Sequence, residues 1–496
     1  MTWFVRTVTL FMRRQRPTVR AGVYPGHISS GDWMFKERRL LIGFLVGLLF
    51  AVGYLARMDL TAQHSPSRDR STNRVGARET GGKVASVDYD SAIDLRPAQT
   101  LYDVLKNVRE NYVEQIKPED QGKMTHTALT YMLGSLNDPN TRFLSEDVRK
   151  ALQDAQRGVF HGIGAITAVK RITDGDSKSE HLVIVTTIPS GPAEEAGLMP
   201  GDDIVEIDGK WVLPFDPFAK AAAIVKKARA NGTAGQKLRK ELETEQKRVE
   251  NGIPIYDAID LLATSKEAEV ELTVFRKGSD KELKLKVSPR QFQCTSVSSS
   301  TVGDGKFGLV RVACFTDKTA DQFQKAVVDM ADRDVDGLIL DMRGLAGGDL
   351  DTVLTMAGVF CPGKIVSIQV RSSSRRTVLR APNPAAGVEW KKPFVVLVDQ
   401  GTARMGEVLA AGLKDNRGAK VVGAQTFGDF GFYSLYDLRD GSAVAMTTGV
   451  MLTRKSLNLN GTGLKVDVAA APASAGQDDN ALSVAVKTLA AEVAKS

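Results

Sequence analysis

The chain has 496 residues, 43% of them hydrophobic, which is enough for two or three domains with their own cores. Its formal net charge of +7 invites a nucleic-acid reading, but residues 1–39 hold eight Lys/Arg against two Asp/Glu and the remainder is close to neutral, so no nucleic-acid partner is expected. The three cysteines, Cys294, Cys314 and Cys361, give no disulfide framework, and no two of the five histidines have metal-ligand spacing, so neither metal nor cofactor is expected.

In chain order, Arg13, Arg14, Arg16, Arg20, Lys36, Arg38 and Arg39 form a basic block ahead of the apolar run Leu40 to Ala56. Seventeen uninterrupted residues are just enough to cross a bilayer. The positive-inside rule then makes 1–39 a cytoplasmic tail and 40–57 a single transmembrane anchor in the inner membrane. The bulk of the chain is placed on the periplasmic side. A secretory signal peptide cleaved near Ala51-Val52-Gly53 is the rival reading. Gly43 and Gly47 have the GxxxG spacing that lets two such helices pack. Residues 58–95, rich in Ser, Arg, Asp and Gly, read as a flexible tether, and 96–155 as a helical segment that contains Leu136-Asn137-Asp138-Pro139-Asn140-Thr141-Arg142-Phe143-Leu144.

Residues 156–292 carry Phe160-His161-Gly162-Ile163-Gly164-Ala165 and, further on, Ile188-Pro189-Ser190-Gly191-Pro192-Ala193, Pro200-Gly201-Asp202 and Ile204-Val205-Glu206-Ile207-Asp208-Gly209. This order of glycine loop, short helix, strand and tight Asp-Gly turn resembles a PDZ domain. The resemblance implies that Gly162, Ile163, Gly164 and Ala165 converge backbone N–H groups on a peptide's terminal carboxylate while the next strand pairs with the peptide. His161 reads as structural. At about 218–252 the module is interrupted by Ala219–Ala228 and Gln236–Glu243, two helices of mixed charge around Asn231-Gly232, read as a solvated face or a partner-docking arm. The module's own helix resumes at Tyr256–Leu262.

Residues 293–496 form the last segment, ending in an amphipathic helix over Asn480–Lys495. Here Leu338–Gly348 reads as a buried β-run, a glycine turn and a helix start. Val396 to Tyr433 reads VLVDQGTARMGEVLAAGLKDNRGAKVVGAQTFGDFGFY. Together with Asp440-Gly441-Ser442, Met446-Thr447-Thr448-Gly449, Gly461–Val468 and the Leu136–Leu144 motif, these segments resemble the carboxyl-terminal processing (tail-specific) peptidases, family S41. In that family a serine three residues before a Glu attacks the peptide bond, a lysine twenty-five residues on deprotonates it, and a glutamine four further on orients the lysine. Aligned on Glu407, the nucleophile position is Arg404, the base position Asp429 and the orienting position Tyr433. None of the three can play the family's part: a guanidinium stays protonated, and a carboxylate has no hydroxyl to activate. Their opposite charges suggest an Arg404–Asp429 ion pair. The resemblance also implies oxyanion donors at Gly347 or Gly348 and at Met405, with Gly344-Leu345-Ala346 departing from the family's Asn-Asn-Pro.

The expected fold class is therefore α+β and multi-domain: an N-terminal transmembrane helix, a helical segment, a PDZ domain and an S41-type (ClpP/crotonase-like) mixed α/β core. The expected function is that of a membrane-anchored, catalytically inactive S41 relative that binds protein C-terminal tails or unfolded peptides as scaffold or regulator. It would work alone, as a homo-oligomer, or beside an active peptidase. Two alternatives stand: an active serine-type endopeptidase processing C-termini, and a structural oligomer subunit.

Overall fold

A computed structural model of the chain describes residues 94–174, 177–230, 235–279, 281–370, 376–385, 387–471 and 479–496. Among them no helix is long and apolar enough to cross a membrane. The longest, Pro118–Gly134, has 17 residues, about 25 Å at the α-helical rise, and carries Glu, Asp, Gln and Lys. The expected transmembrane helix is thus corrected, and with it the membrane anchor in the fold, function and partners and the single-pass inner-membrane, periplasm-facing localisation. The run Leu40–Ala56, its basic tail and residues 58–93 of the tether lie outside the described residues.

The remaining architecture is α+β. Its core is a six-stranded sheet in the order Val297–Val302, Phe307–Val312, Gly337–Asp341, Phe394–Val398, Lys420–Gly423, Val468–Ala469. The first strand is antiparallel to its neighbour and the rest are parallel. Continuous apolar strands are what a parallel sheet covered on both faces requires, and Gly337–Asp341 and Phe394–Val398 are buried at every residue. Helices Thr319–Asp332, Leu350–Gly358 and Met405–Arg417 cover one face through Phe323, Met356 and Leu409. Helix Asn480–Val493 covers the other, setting Ala481, Ala485 and Leu489 against Ile339 and Leu397.

A second sheet brings an early strand to the last third of the chain. Ala443–Thr453 pairs with Gly363–Val370, with Gly431–Asp437 and with the short strand Arg142–Leu144, where Arg142 lies opposite Ala445. The Leu136–Leu144 motif is thereby carried to the core, some 300 residues on.

Between these parts, the segment expected to be a PDZ module forms a seven-stranded sheet running Ala165–Asp174, Ser177–Thr187, Asp203–Ile207, Lys210–Leu213, Gly252–Pro254, with Val270–Phe275 paired beside Asp203–Ile207 and Leu283–Val287 paired in turn with Val270–Phe275. Ile184, Ile204, Leu272 and Val274 pack there against helix Ile255–Thr264. After Leu213 the chain leaves through helices Ala219–Ala230 and Gln236–Glu250, then returns as Gly252–Pro254, parallel to Lys210–Leu213. Buried Glu245 ties the two helices, bonded to Arg248 at 2.5 Å and Lys220 at 3.2 Å. This sheet rests on the core: Val185 is buried with Ala346 and Ala403, and Gln400 Nε2 donates to the Pro200 carbonyl at 2.6 Å.

Candidate active site

Strands Gly337–Asp341 and Phe394–Val398 are neighbours in the sheet, so the turns that leave their carboxyl ends meet. Asp399 welds them: its Oδ1 accepts N–H bonds from Gly344 at 2.8 Å and Gly401 at 2.9 Å. Burial raises the Asp399 carboxyl above its ordinary value against those two bonds. The fully buried Thr402 donates its hydroxyl to the Met342 carbonyl at 2.8 Å, and Ala403 N–H donates to Leu345 at 3.0 Å. Thr402, the hydroxyl nearest to the nucleophile position in sequence, therefore serves the scaffold.

Arg404 follows at the N-terminus of helix Met405–Arg417, with φ 54° and ψ −120°. A non-glycine residue in that region is strained, and such strand-to-helix elbows present a side chain above the sheet. Here the presented side chain is a guanidinium. Arg404 Nε donates to Asp429 Oδ2 at 2.7 Å, and its carbon Cζ lies 5.1 Å from the centre of the Tyr433 ring. The Tyr433 hydroxyl donates to the other Asp429 oxygen and accepts from Asn140 Nδ2 at 3.0 Å. Arg404, Asp429 and Tyr433 are thus in mutual contact, and the opposite charges at the first two form an ion pair.

The supporting elements explain how these side chains converge. Glu407, one turn into the helix and fully buried, accepts N–H bonds from Gly428 and Asp429 at 2.8 Å each and the hydroxyl of Thr426. This fastens the Asp429 loop to the helix that begins at Arg404. Tyr433 lies at a register shift between Gly431–Asp437 and Ala443–Thr453, the kind of bulge that re-aims a side chain beside a site. Asn140 arrives with the strand Arg142–Leu144, held by Thr447 N–H on the Thr141 hydroxyl at 3.1 Å.

Electrostatically the cluster is locked. Burial pulls the Arg404 guanidinium down, but Asp429 and Tyr433 leave it above its ordinary value, so it remains a cation. Burial and the Asp429 carboxylate push the Tyr433 phenol well above its usual range. Next to it, burial lowers Arg142, opposed by Asp260 at 3.3 Å and reinforced by Arg404, while burial lifts Asp260 to about 6. Neither Arg404 nor Tyr433 is free to lose its proton near neutrality.

The oxyanion-like positions are adjacent, but Met405 N–H donates to the Gly347 carbonyl at 3.2 Å. Gly348 lies against the Phe315 ring. In the glycine loop, Ile163 N–H is engaged with the Leu262 carbonyl at 3.0 Å, and the carbonyls of Gly162 and Gly164 accept from Arg290 and Ile188. Ala165 opens a strand at the margin of its sheet, with Ser177–Thr187 as its neighbour among the described residues. Beyond the loop, Ile166 and Ala168 reach the edge of the Val185–Ala346–Ala403 contact beside Phe427. His161 bonds Asp154 at 3.0 Å.

Asn140 is a member of the site that the sequence reading did not single out. Its signal was its place in the Leu136–Leu144 motif, whose Leu144 is buried with Val148 and Ala443.

Comparisons with known proteins agree with this geometry at the level of family. Residues 306–470 match Peptidase family S41. The chain is 28% identical over 374 residues to a chloroplastic C-terminal processing peptidase of Tetradesmus obliquus, covering 73% of this chain and 71% of that protein. It is also 28% identical over 371 residues to a carboxy-terminal-processing protease of Bartonella bacilliformis, covering 74% and 73%. Among solved structures, a photosystem II D1 C-terminal processing protease superposes with a TM-score of 0.55 at 26% identity, covering 79% of this chain and 92% of that one.

Proposed function

We propose that this chain, whose residues 306–470 match peptidase family S41, is a member that binds protein C-terminal tails without cutting them, as a scaffold or as a regulator of an active peptidase. The observation that carries the reading is the Arg404–Asp429–Tyr433 network at the positions where the family keeps serine, lysine and glutamine. Serine–lysine chemistry needs a hydroxyl and an amine that can be neutral. The network offers a permanent cation, a carboxylate committed to it, and a phenol whose proton is held.

Tail binding falls to the middle sheet, read as a PDZ-type module. A peptide would add alongside Ala165–Asp174, its carboxylate facing the Gly162–Ala165 loop. The margin position of that strand supports this. A second reading, a purely structural subunit with a closed groove, draws support from the Ile163 N–H already spent on Leu262. Equilibrium binding of unstructured peptides separates the two. Tail binding is expected to weaken by at least about tenfold, roughly 1.4 kcal/mol, when the peptide's terminal carboxylate is amidated. No binding would favour the structural subunit, and binding indifferent to amidation would refute the carboxylate contact at the Gly162–Ala165 loop.

A further inference from the structure

Cys294 and Cys314 are 20 residues apart in sequence, yet their sulfurs lie 2.9 Å from each other. The antiparallel register explains the approach. Val297 pairs with Val312, and the ladder continues one step further, Ala313 N–H donating to the Ser296 carbonyl at 2.8 Å and Ser296 Oγ to the Cys314 carbonyl at 2.7 Å. The two cysteine segments are thereby held side by side. A disulfide needs about 2.05 Å between its sulfurs, so this pair stands about 0.9 Å from bonding distance.

The two thiols are unlike. Cys294 is half-buried, and the S–H of Cys314 donates to it; that contact, helped by the charge of Arg311, holds the Cys294 thiol below its ordinary range. Cys314 is buried, and the same contact together with burial pushes its thiol far up. An accessible, acidified thiol beside a buried one is the arrangement of an attacking and a resolving cysteine.

We propose that Cys294 and Cys314 form a reversible dithiol–disulfide site whose oxidant is the disulfide of a small thiol or of another protein. The Cys294 thiolate attacks one sulfur of the incoming disulfide, forming a mixed disulfide and releasing the first thiol. Cys314 then loses its proton to solvent and displaces the second. Two protein thiols and one external disulfide become one protein disulfide and two external thiols, so the protein is oxidised by two electrons and the reagent reduced by two. The bond joins two segments that reach functional positions. Phe292, two residues before Cys294, stacks on Phe160 and lies against Gly164; Phe315, next after Cys314, lies against Gly348.

The test is equilibration of the full chain in glutathione buffers of rising disulfide content, acid quench, alkylation under denaturing conditions and non-reducing peptide mass spectrometry. Cys294 and Cys314 should disappear from the alkylated pool together, replaced by one cross-linked peptide, while Cys361 stays free. In the reduced folded protein, Cys294 should alkylate at least about tenfold faster than Cys314. Cys314→Ser should accumulate a stable glutathione adduct on Cys294, and Cys294→Ser, a change at a half-buried position, should accumulate none on Cys314. Free thiols at the most oxidising ratio, or a glutathione adduct on Cys294 that persists in the wild type, would overturn the proposal.

Discussion

Truncating Arg404 has two effects of opposite sign. Arg404→Ala leaves Asp429, whose side chain is 7% exposed, without its cation and with the Tyr433 hydroxyl still bonded to it. Breaking a buried ion pair from one side costs about 3–5 kcal/mol. The Arg404 side chain is 36% exposed, so solvent screening brings the expectation to about 2–3 kcal/mol. Alanine also keeps the strained φ of 54°. Arg404→Gly loses the same contacts but removes that strain, worth about 1–2 kcal/mol. The glycine variant should therefore be the more stable, the reverse of the order in an ordinary helix. The double variant Arg404→Ala, Asp429→Ala strands no charge and should fall short of the sum of its single variants by about 1–2 kcal/mol. In thermal unfolding of the full chain these become Tm losses of about 2–4 °C for Arg404→Ala, with Arg404→Gly recovering about 1–2 °C. Additive single effects, with glycine no better than alanine, would refute both the coupling and the strain.

Three further outcomes are expected. Burial lifts the Glu407 carboxyl from 4.5 to about 7, so the fold binds that proton more tightly than the unfolded chain does; the stability it contributes is full below about pH 4.5 and is lost by pH 7. The change is on the order of 3 kcal/mol, and urea unfolding of Glu407→Gln against wild type should show that slope removed; parallel profiles would contradict it. Gly406→Ala would set a Cβ 2.3 Å from the Leu345 carbonyl, and should destabilise by about 1–3 kcal/mol, read as a lowered urea midpoint. Glu245→Ala removes the buried partner of Lys220 and Arg248 and should loosen the inserted helices, visible as faster amide exchange over 219–250 with little change in the core.

What the sequence made legible were local patterns. Leu338–Asp341 is a continuous apolar run ahead of a glycine turn, which announces a buried strand, and the spacing from Arg404 to Asp429 needed only counting. The membrane expectation came from composition alone, in a stretch beyond the described residues. Long-range register was out of reach. Nothing near Asn140 says that Arg142 will pair with Ala445, or that Thr447 will hold Thr141. The two cysteines looked scattered because their contact depends on a ladder one step longer than the strands themselves. The engaged amides of Met405 and Ile163 were likewise invisible, since a sequence shows which donors exist and not what they face.

The most direct measurement is cleavage of an unstructured protein tail, read by mass spectrometry, with the full chain compared against the triple variant Arg404→Ser, Asp429→Lys, Tyr433→Gln. The account predicts that the wild type leaves the tail intact at every time point. An active triple variant would add that only the chemistry was lost from the cleft. Wild-type cleavage that survives both Arg404→Ala and Thr402→Ala would contradict the account, because it would require an active site elsewhere.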